Sequence, residues 1–207
     1  MQHLLKPSRR TTALSESEAW DSTYGAGRWD YLADREEGAR YRVLAGYVGR
    51  SPAHVLDLGC GVGLLRAHLP ETTVLSYTGV DISARAIEQA RAQGARRSEF
   101  VVASIEEWEP ERLYDVIVFN EVLYYLSNPV ATVRRYRQFL MPSGTVVVSM
   151  YRPRRLRQPL EWSRIAVIWA GLRRDWLVLA DVVVGSRETS SWRLRVLRLG
   201  RAAGAAR

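Results

Sequence analysis

With 207 residues, of which 47% are hydrophobic and 25% are charged, the chain is long enough for one domain with its own hydrophobic core. Its single cysteine, Cys60, excludes an intramolecular disulfide, and because the sequence predicts no signal peptide and no transmembrane segment, we expect a cytoplasmic protein. The net charge of +8 is local, since residues 152–207 carry 13 Lys and Arg against 4 Asp and Glu, so the charge does not mark the whole chain as nucleic-acid-binding.

Residues 1–50 are predicted to form an N-terminal arm followed by lid helices. The spacing of Ser15 and Glu18 matches a capping box and predicts a helix over residues 16–24, which two nearby glycines then end. A second helix is expected over residues 35–48, ending near Gly49 and Pro52.

Short apolar runs alternate with helical stretches through residues 51–200, the predicted main domain. Such alternation produces βαβ units, in which parallel strands form a sheet with helices on both faces. The sequence therefore predicts an α/β fold, a single doubly wound Rossmann-like domain with a terminal antiparallel hairpin, and a frayed tail at 201–207. The predicted strands are 54–58, 77–80, 100–103, 114–119, 145–150, 177–184 and 191–199, the helices are 84–93, 128–140 and 160–172, and 141–144 is a turn.

The first predicted strand ends in a glycine-rich turn, Asp57-Leu-Gly-Cys-Gly-Val-Gly63. Glycines after a buried strand let the backbone turn sharply and let a ligand approach the main chain. A nicotinamide fingerprint would need Gly or Ala where Leu64 stands, so this turn fits a dehydrogenase poorly. The alternative is a connector without a ligand. The residues expected to contact a nucleoside cofactor here are Asp57, Gly59, Cys60, Gly61 and Gly63.

Asp81 ends the second predicted strand and is followed by Ile82. A carboxylate at this place can accept hydrogen bonds from both hydroxyls of a bound ribose. Its alternative role is to cap the next helix, but Ser83 is already a suitable N-cap. Asp81 and Ile82 are therefore predicted to bind the cofactor.

The segment Val55-Leu-Asp-Leu-Gly-Cys-Gly-Val-Gly63 resembles the first motif of the class I S-adenosylmethionine (SAM)-dependent methyltransferases. Later segments resemble further motifs in the family order, at 100–105, 114–121 and 140–149. Ser104 stands where the family commonly has an acid that meets adenine. The resemblance implies SAM as the cofactor and a seven-stranded sheet whose last strand is antiparallel. It also implies SAM contacts from Ser104, Ile105 and Asn120.

A second, shorter resemblance covers Asn120-Glu-Val-Leu-Tyr-Tyr-Leu126, which is similar to nodulation-type small-molecule N-methyltransferases that modify amino sugars. Methyl transfer needs an aligned acceptor and a general base only where the nucleophile must lose a proton. Glu121, Tyr124 and Tyr125 are the catalytic candidates. Glu121 either binds the amino group of SAM, accepts a proton from the acceptor or caps the next element, and the two tyrosines either line the site or pack in the core.

The aromatic segment 20–29 contains two glycines and predicts a lid that closes over the cofactor and excludes water. Tyr24 is the expected SAM contact and Trp29 an expected substrate contact. The alternative is a surface loop whose aromatic residues pack on the edge of the sheet.

Tyr151 and Arg152 follow the fifth predicted strand and begin an arginine-rich segment. Guanidinium groups pair with phosphates and carboxylates, so the start of this segment, with Tyr151 and Arg152, is predicted to bind an anionic acceptor. A solvated basic loop is an equal alternative. An apolar face of helix 160–172 suggests a membrane-surface role, for which core packing against the sheet is the preferred alternative.

The sequence as a whole predicts a SAM-dependent methyltransferase that acts on a small acceptor, either anionic or similar to an amino sugar, and it predicts no metal site. A nucleic-acid methyltransferase stays open because basic residues supply phosphate affinity, although no separate RNA-binding module is evident. A non-catalytic binding protein with the same fold also stays open, because Ser104 departs from the family pattern.

Overall fold

The computed structural model describes residues 15–185 and 190–200. The predicted arm at 1–14 and the predicted tail at 201–207 lie outside these residues. Six α-helices and seven β-strands occur in the described part of the chain. The helices are α1 (Glu16–Gly25), α2 (Arg35–Val48), α3 (Leu64–His68), α4 (Ala84–Ala92), α5 (Pro129–Tyr136) and α6 (Pro159–Leu172), and the strands are β1 (Ala53–Leu58), β2 (Val74–Asp81), β3 (Ser98–Val102), β4 (Tyr114–Asn120), β5 (Leu140–Tyr151), β6 (Trp176–Gly185) and β7 (Ser191–Leu199).

All seven strands form one sheet in the order β3-β2-β1-β4-β5-β7-β6. The first five strands are parallel, and β7 runs antiparallel to both of its neighbours. This confirms the predicted fold, including the terminal hairpin. The order reverses between β1 and β4, and the crevice beyond the carboxyl ends of strands at such a point is where open α/β sheets bind ligands.

Hydrophobic side chains on alternate strand positions form two cores, one on each face of the sheet. Val55 and Val118 pack with helices α2 and α4, whereas Leu56 and Ile117 pack with α5 and α6. The central strands are therefore covered on both faces, which explains why their sequences are almost continuously apolar. Burial of these side chains supplies most of the driving force for folding.

The helix ends follow local capping chemistry that the sequence already contains. The Ser15 side chain accepts a hydrogen bond from the Glu18 amide while the Glu18 carboxylate accepts from the Ser15 amide, which completes the predicted capping box of α1. Ser83 caps α4 and Asn128 caps α5 in the same way, each through its side-chain oxygen. These caps fix where the helices leave the carboxyl edge of the sheet.

Several boundaries differ from the sequence prediction, among them the end of α5 at Tyr136 instead of residue 140. Strand β2 begins at Val74, earlier than predicted, because exposed Leu75 and polar Ser76 hide the start of the strand. The predicted turn at 141–144 falls inside β5, where pairing with β4 passes directly from Leu140 to Thr145. Residues 141–144 therefore interrupt the pairing of β5 with β4, as a turn would, but they remain part of one continuous strand.

None of the helices in the described ranges is long and apolar enough to span a bilayer. Helix α6 packs Ile165, Ile168, Trp169 and Leu172 into the core. Core packing was the preferred interpretation of this apolar face, and the burial confirms it for these four residues, whereas Trp162, the fifth residue of the face, is 38% exposed.

Candidate functional site

The turn after β1 forms a tight elbow that only glycine can build. Gly59 and Gly61 have φ angles of 76° and 53°, in the left-handed region that favours glycine. A Cβ atom on Gly59 would lie 2.5 Å from Val122 Cγ2, and one on Gly61 would lie 2.8 Å from the Tyr24 hydroxyl. The backbone of the elbow therefore packs directly against the Val122 and Tyr24 side chains.

Asp81 forms the wall next to this elbow. Its Oδ2 atom accepts a hydrogen bond from the Gly61 amide at 2.9 Å, and its Oδ1 atom accepts one from the Ser83 amide at 2.9 Å. Burial raises the pKa of Asp81, and the two backbone hydrogen bonds oppose that rise. Ile82 lines the same wall. The predicted cofactor acid is thus held firmly beside the predicted cofactor turn.

Asp57 and Gly63 lie beneath the elbow and do not line the pocket described below. The Tyr77 hydroxyl donates a hydrogen bond to Asp57 Oδ2 at 2.5 Å, while Oδ1 has no partner among the described residues. Burial raises the pKa of Asp57 to about 7. A Cβ on Gly63 would lie 3.3 Å from Ala90, so Gly63 allows the elbow to pack closely on α4.

The aromatic segment 20–29, which comprises the second half of α1 and the turn after it, covers the elbow. Trp20 makes an edge-to-face contact with Tyr125 at 4.9 Å between ring centroids. The Trp29 indole donates a hydrogen bond of 2.9 Å to the Thr23 hydroxyl, which holds Trp29 against the same segment. The predicted lid residues Tyr24 and Trp29 both line the pocket.

Asp21 attaches this lid to the start of α4. Its Oδ1 atom accepts hydrogen bonds from the Ser83 hydroxyl at 2.6 Å and from the Arg85 amide at 3.1 Å. A carboxylate at a helix N-terminus is also favoured by the helix dipole. The lid is therefore docked by a small number of polar contacts, and sequence analysis did not identify Asp21.

Ser104 and Ile105 form the opposite wall, after β3. The Ser104 hydroxyl accepts a hydrogen bond of 3.3 Å from the Glu106 amide. Glu106 also lines the pocket and accepts hydrogen bonds from the Ser127 and Asn128 amides. Glu106 is thus an acid two residues beyond position 104, where the family commonly has one. Its closeness to that position in the sequence was a signal that could have identified it.

Glu121 follows β4 with a φ of 58°, a conformation that non-glycine residues rarely adopt and that occurs preferentially at functional sites. Its Oε2 atom accepts a hydrogen bond of 2.7 Å from the Tyr124 hydroxyl, and its amide donates to the Ser149 carbonyl. Burial raises the pKa of Glu121 to about 7, while Arg40 and Tyr124 lower it. The predicted catalytic residues Glu121, Tyr124 and Tyr125 all line the pocket.

Arg40 lies in the same pocket and was missed by sequence analysis. The side chain is 1% exposed and pairs with Glu37 at 2.7 Å. Its Nη1 atom donates a hydrogen bond of 2.5 Å to Asn120 Oδ1, and its guanidinium lies over the rings of Tyr41 and Trp192. From sequence, Glu37 and Arg40 look like an ordinary i,i+3 surface pair on a helix.

These groups enclose a cavity of about 350 Å³ at the carboxyl edge of the sheet. Six acidic residues and one basic residue, Arg40, are among the described residues that line it. Eight aromatic side chains also line it. The acidic residues are Glu16, Asp30, Glu37, Asp81, Glu106 and Glu121, and the aromatic residues are Trp20, Tyr24, Trp29, Tyr31, Tyr41, Tyr124, Tyr125 and Trp192.

The structure does not bring Tyr151 and Arg152 to this pocket. They line a separate cavity beside α6, together with several other arginines. Within the part of the chain that the structure describes, no group of three or more His, Cys, Asp or Glu residues has the arrangement of a metal site.

A family model described as a methyltransferase domain matches residues 27–181. Trans-aconitate 2-methyltransferase of Methylobacterium radiotolerans is 34% identical over 148 residues, which are 68% of this chain and 55% of that protein. Malonyl-[acyl-carrier protein] O-methyltransferase of Halalkalibacterium halodurans is 33% identical over 109 residues, 49% of this chain and 40% of that protein. The chain thus spans about half the length of the curated relatives it matches.

Solved structures show the same fold at low sequence identity. The N-methyltransferase NodS from Bradyrhizobium japonicum, in complex with S-adenosyl-L-homocysteine (SAH), aligns with a TM-score of 0.68 and 18% identity. The alignment covers 86% of this chain and 98% of that chain.

Proposed function

The chain belongs to the family of methyltransferase domains, and from this premise we propose that it uses SAM to methylate a small amine. This family membership confirms the resemblance to the SAM-dependent methyltransferases that the sequence motifs indicated. The identity of the acceptor is argued below from the charges and contacts of the pocket.

The residues around the elbow fit SAM. At Gly59 and Gly61 a side chain would collide with Val122 and Tyr24, so only bare backbone fits at the floor of the pocket, and the buried carboxylate of Asp81 stands beside it. Asp81 would hold the ribose, Ser104 and Ile105 the adenine, and Asn120 the methionine part, with Tyr24 covering them. When bound, SAM supplies a methyl group that its sulfonium has already activated for transfer.

The charge of the pocket is the observation that carries the acceptor proposal. Six of the seven charged residues that line the described pocket are acidic, and the only basic one, Arg40, is already paired with Glu37. A lining of this kind stabilises an ammonium group and repels a carboxylate. Aromatic rings around the same space add cation–π attraction for an ammonium group. The pocket therefore favours a basic nitrogen over an anionic acceptor.

Glu121 is the residue placed to prepare such an acceptor. An ammonium group must lose a proton before its nitrogen has a lone pair for attack. The Glu121 carboxyl has a pKa of about 7, so near neutral pH it is partly ionised and can take that proton. The Tyr124 hydroxyl orients the carboxylate at 2.7 Å, and Tyr125 packs against Trp20 to exclude water.

A carboxylate acceptor is the second candidate. It is favoured by the presence of the buried Arg40 guanidinium in the pocket and by the name of a relative, trans-aconitate 2-methyltransferase. For this acceptor, Arg40 would exchange part of its contact with Glu37 for a bidentate pair with the substrate.

Transfer of a tritiated methyl group from SAM into a panel of small amines, amino sugars, polycarboxylates and short RNAs separates these candidates. We expect product with amines, and loss of that product in Glu121→Gln. Product only with polycarboxylates, abolished by Arg40→Gln and retained in Glu121→Gln, would overturn the amine proposal in favour of the second candidate. Product only with RNA would restore the nucleic-acid alternative.

A further inference from the structure

The loop 152–158 and the first turn of α6 carry features that the proposed methyl transfer does not use. Residues 152–174 contain seven arginines and one acidic residue, Glu161. This region is strongly basic, and it contains Leu156, which is the most exposed large hydrophobic residue in the described part of the chain. We call its exposed face the α6 patch, formed by Arg152, Arg154, Arg155, Leu156, Arg157, Leu160 and Trp162.

The α6 patch exposes large apolar side chains to water. Leu156 is 98% exposed, Leu160 is 82% exposed, and Trp162 is 38% exposed. The buried side of α6 already packs on the sheet through other residues, so these side chains add nothing to the core. Leucines exposed to this degree within an arginine-rich loop are typical of a surface that enters an apolar phase.

Hydrogen bonds hold Leu156 at the tip of an ordered turn. The Gln158 side-chain oxygen accepts from the Tyr151 hydroxyl at 3.2 Å and from the Arg154 amide at 3.3 Å. The Arg155 guanidinium lies 5.0 Å from the centre of the Trp162 ring. The apolar tip is therefore presented with arginines on either side of it.

A basic cavity of about 670 Å³ lies behind this tip. Six arginines line it, and none of the described residues around it is acidic. Asp181 pairs with Arg193 and Arg195 from outside the cavity, and this leaves a strong excess of positive charge. The cavity is lined by Arg152, Arg154, Arg155, Arg173, Arg193 and Arg195 with Trp162 and Trp169 among its other residues.

We propose that the α6 patch docks on the surface of an anionic lipid bilayer. Leu156 and Leu160 would enter the boundary between headgroups and acyl chains, while the arginines would pair with lipid phosphates. Nucleic acid offers phosphates as well, but it offers no apolar phase for two protruding leucines. Because no described helix is able to span a bilayer, this contact is peripheral.

Docking by the α6 patch would also orient the enzyme. Loop 152–158 follows the carboxyl end of β5, and the carboxyl ends of the parallel strands carry the SAM pocket. The patch would therefore bring this edge of the sheet towards the lipid surface. The proposal does not depend on which acceptor is methylated.

Vesicle sedimentation tests the proposal with the full chain. We expect the protein to sediment with phosphatidylcholine vesicles that contain phosphatidylglycerol, to stay in solution with phosphatidylcholine alone, and to dissociate as salt increases. Leu156→Ser with Leu160→Ser should weaken partitioning about tenfold or more. Arg155→Gln and Arg157→Gln should each weaken it about fivefold.

Leu75→Ser is the matched control. Leu75 is 47% exposed, and it lies at the amino end of β2, whereas loop 152–158 follows the carboxyl end of β5. This variant should leave partitioning unchanged, and circular dichroism should show that all variants fold. Equal binding to neutral and anionic vesicles, or full binding by the double leucine variant, would overturn the proposal. Displacement from the vesicles by a short RNA, with RNA binding unaffected in the leucine variant, would identify nucleic acid as the partner instead.

Discussion

Glu121 is a partly buried carboxyl group whose environment suits proton transfer near neutral pH. Burial raises its pKa to about 7, and the hydrogen bond from Tyr124 limits that rise. A carboxyl group with a pKa of about 7 is partly ionised at physiological pH. General bases in enzymes commonly have pKa values in this range. Its left-handed backbone conformation, with a φ of 58°, fixes where the carboxylate points.

Glu121→Gln should lower kcat about 100-fold, because the amide cannot accept the proton from an ammonium acceptor. The wild-type rate should rise with pH and level off above about 7, where Glu121 is ionised, and the variant should lose this rise. Tyr124→Phe should move the midpoint of the wild-type profile to higher pH, because it removes a hydrogen bond that favours the carboxylate. A pH profile that is identical in all three proteins would contradict the proposed role.

Asp57 has the same raised pKa, and burial is again its main cause. It lies beneath the elbow, and its pKa of about 7 arises mainly from burial, with Tyr77 opposing the rise. A raised carboxyl pKa means that the folded protein holds its proton to higher pH than the unfolded chain does. Between about pH 4 and 7 the folded state therefore binds more protons, and the free energy of unfolding should fall as pH rises.

Asp57→Asn should remove part of this pH dependence. We expect the variant to gain on the order of 2 kcal/mol relative to wild type at pH 8 and little at pH 4, because the amide is never ionised and still accepts from Tyr77. Urea unfolding at the two pH values measures the difference. A variant that loses stability equally at both would show that the Asp57 charge is compensated in a way that the hydrogen bonds do not reveal.

Gly61→Ala tests the elbow directly. The new Cβ would lie 2.8 Å from the Tyr24 hydroxyl at a φ of 53°, and we expect at least tenfold weaker SAH binding by calorimetry. Gly94→Ala is the matched control, because Gly94 has a φ of 64° but nothing within 4 Å of the added atom. Both variants should lose about 1 kcal/mol of stability from backbone strain, and only the first should lose affinity.

Where a motif is local, the sequence predicted which residues lie at the pocket, and their binding roles stay predictions. The elbow glycines and Asp81 are close in sequence to the strands that position them, so their pattern indicates their place. Arg40 could not be found in this way, because its partner Asn120 is 80 residues away. Arg152 was expected at the pocket from its position after β5, but the loop turns beside α6 and carries it to the second cavity.

The lid is the element whose attachment most directly affects the pocket. Helix α1 reaches α4 through the Asp21 carboxylate, which accepts from the Ser83 hydroxyl and the Arg85 amide. Aromatic contacts, such as Trp20 against Tyr125, hold its inner side. An element fixed by so few polar contacts is able to open without disturbing the sheet.

Asp21→Ala should weaken this attachment and increase the dissociation rate of SAH about fivefold, with little change in the unfolding of the rest of the domain. Asp21→Asn should retain most of the wild-type rate, since its side-chain oxygen still accepts both hydrogen bonds. Stopped-flow measurement of tryptophan fluorescence follows the release. If Asp21→Ala releases SAH at the wild-type rate, the lid does not limit ligand exit.

Element-level prediction was correct for helices that have caps and for strands that are buried on both faces. Helices α1 and α4 and strand β4 contain these signals in their own sequences. Prediction was less accurate at the start of β2, where the strand is partly exposed, and at 141–144, where Pro and Gly indicate a turn but the strand continues beyond it. Pairing with β4 decides that outcome, and pairing is a tertiary property.

At the scale of the molecule, the sheet order places all groups of the pocket at one edge. The carboxyl ends of β1, β2, β3 and β4 supply the elbow, Asp81, Ser104 and Glu121, and the lid closes over them. The fold was predictable because the alternation of strands and helices has few solutions that keep crossovers right-handed. The charge of the pocket was not predictable from the sequence, because Glu37 and Arg40 come from a helix that contains no family motif.

The central claim is that SAM lies across the elbow with its sugar at Asp81 and its transferable methyl facing Glu121. A crystal structure with SAH measures this most directly. We predict that both ribose hydroxyls bind the Asp81 carboxylate and that the sulfur faces the space between Glu121 and Tyr124. An SAH molecule bound in the arginine-lined cavity beside α6, with none at the elbow, would contradict the account.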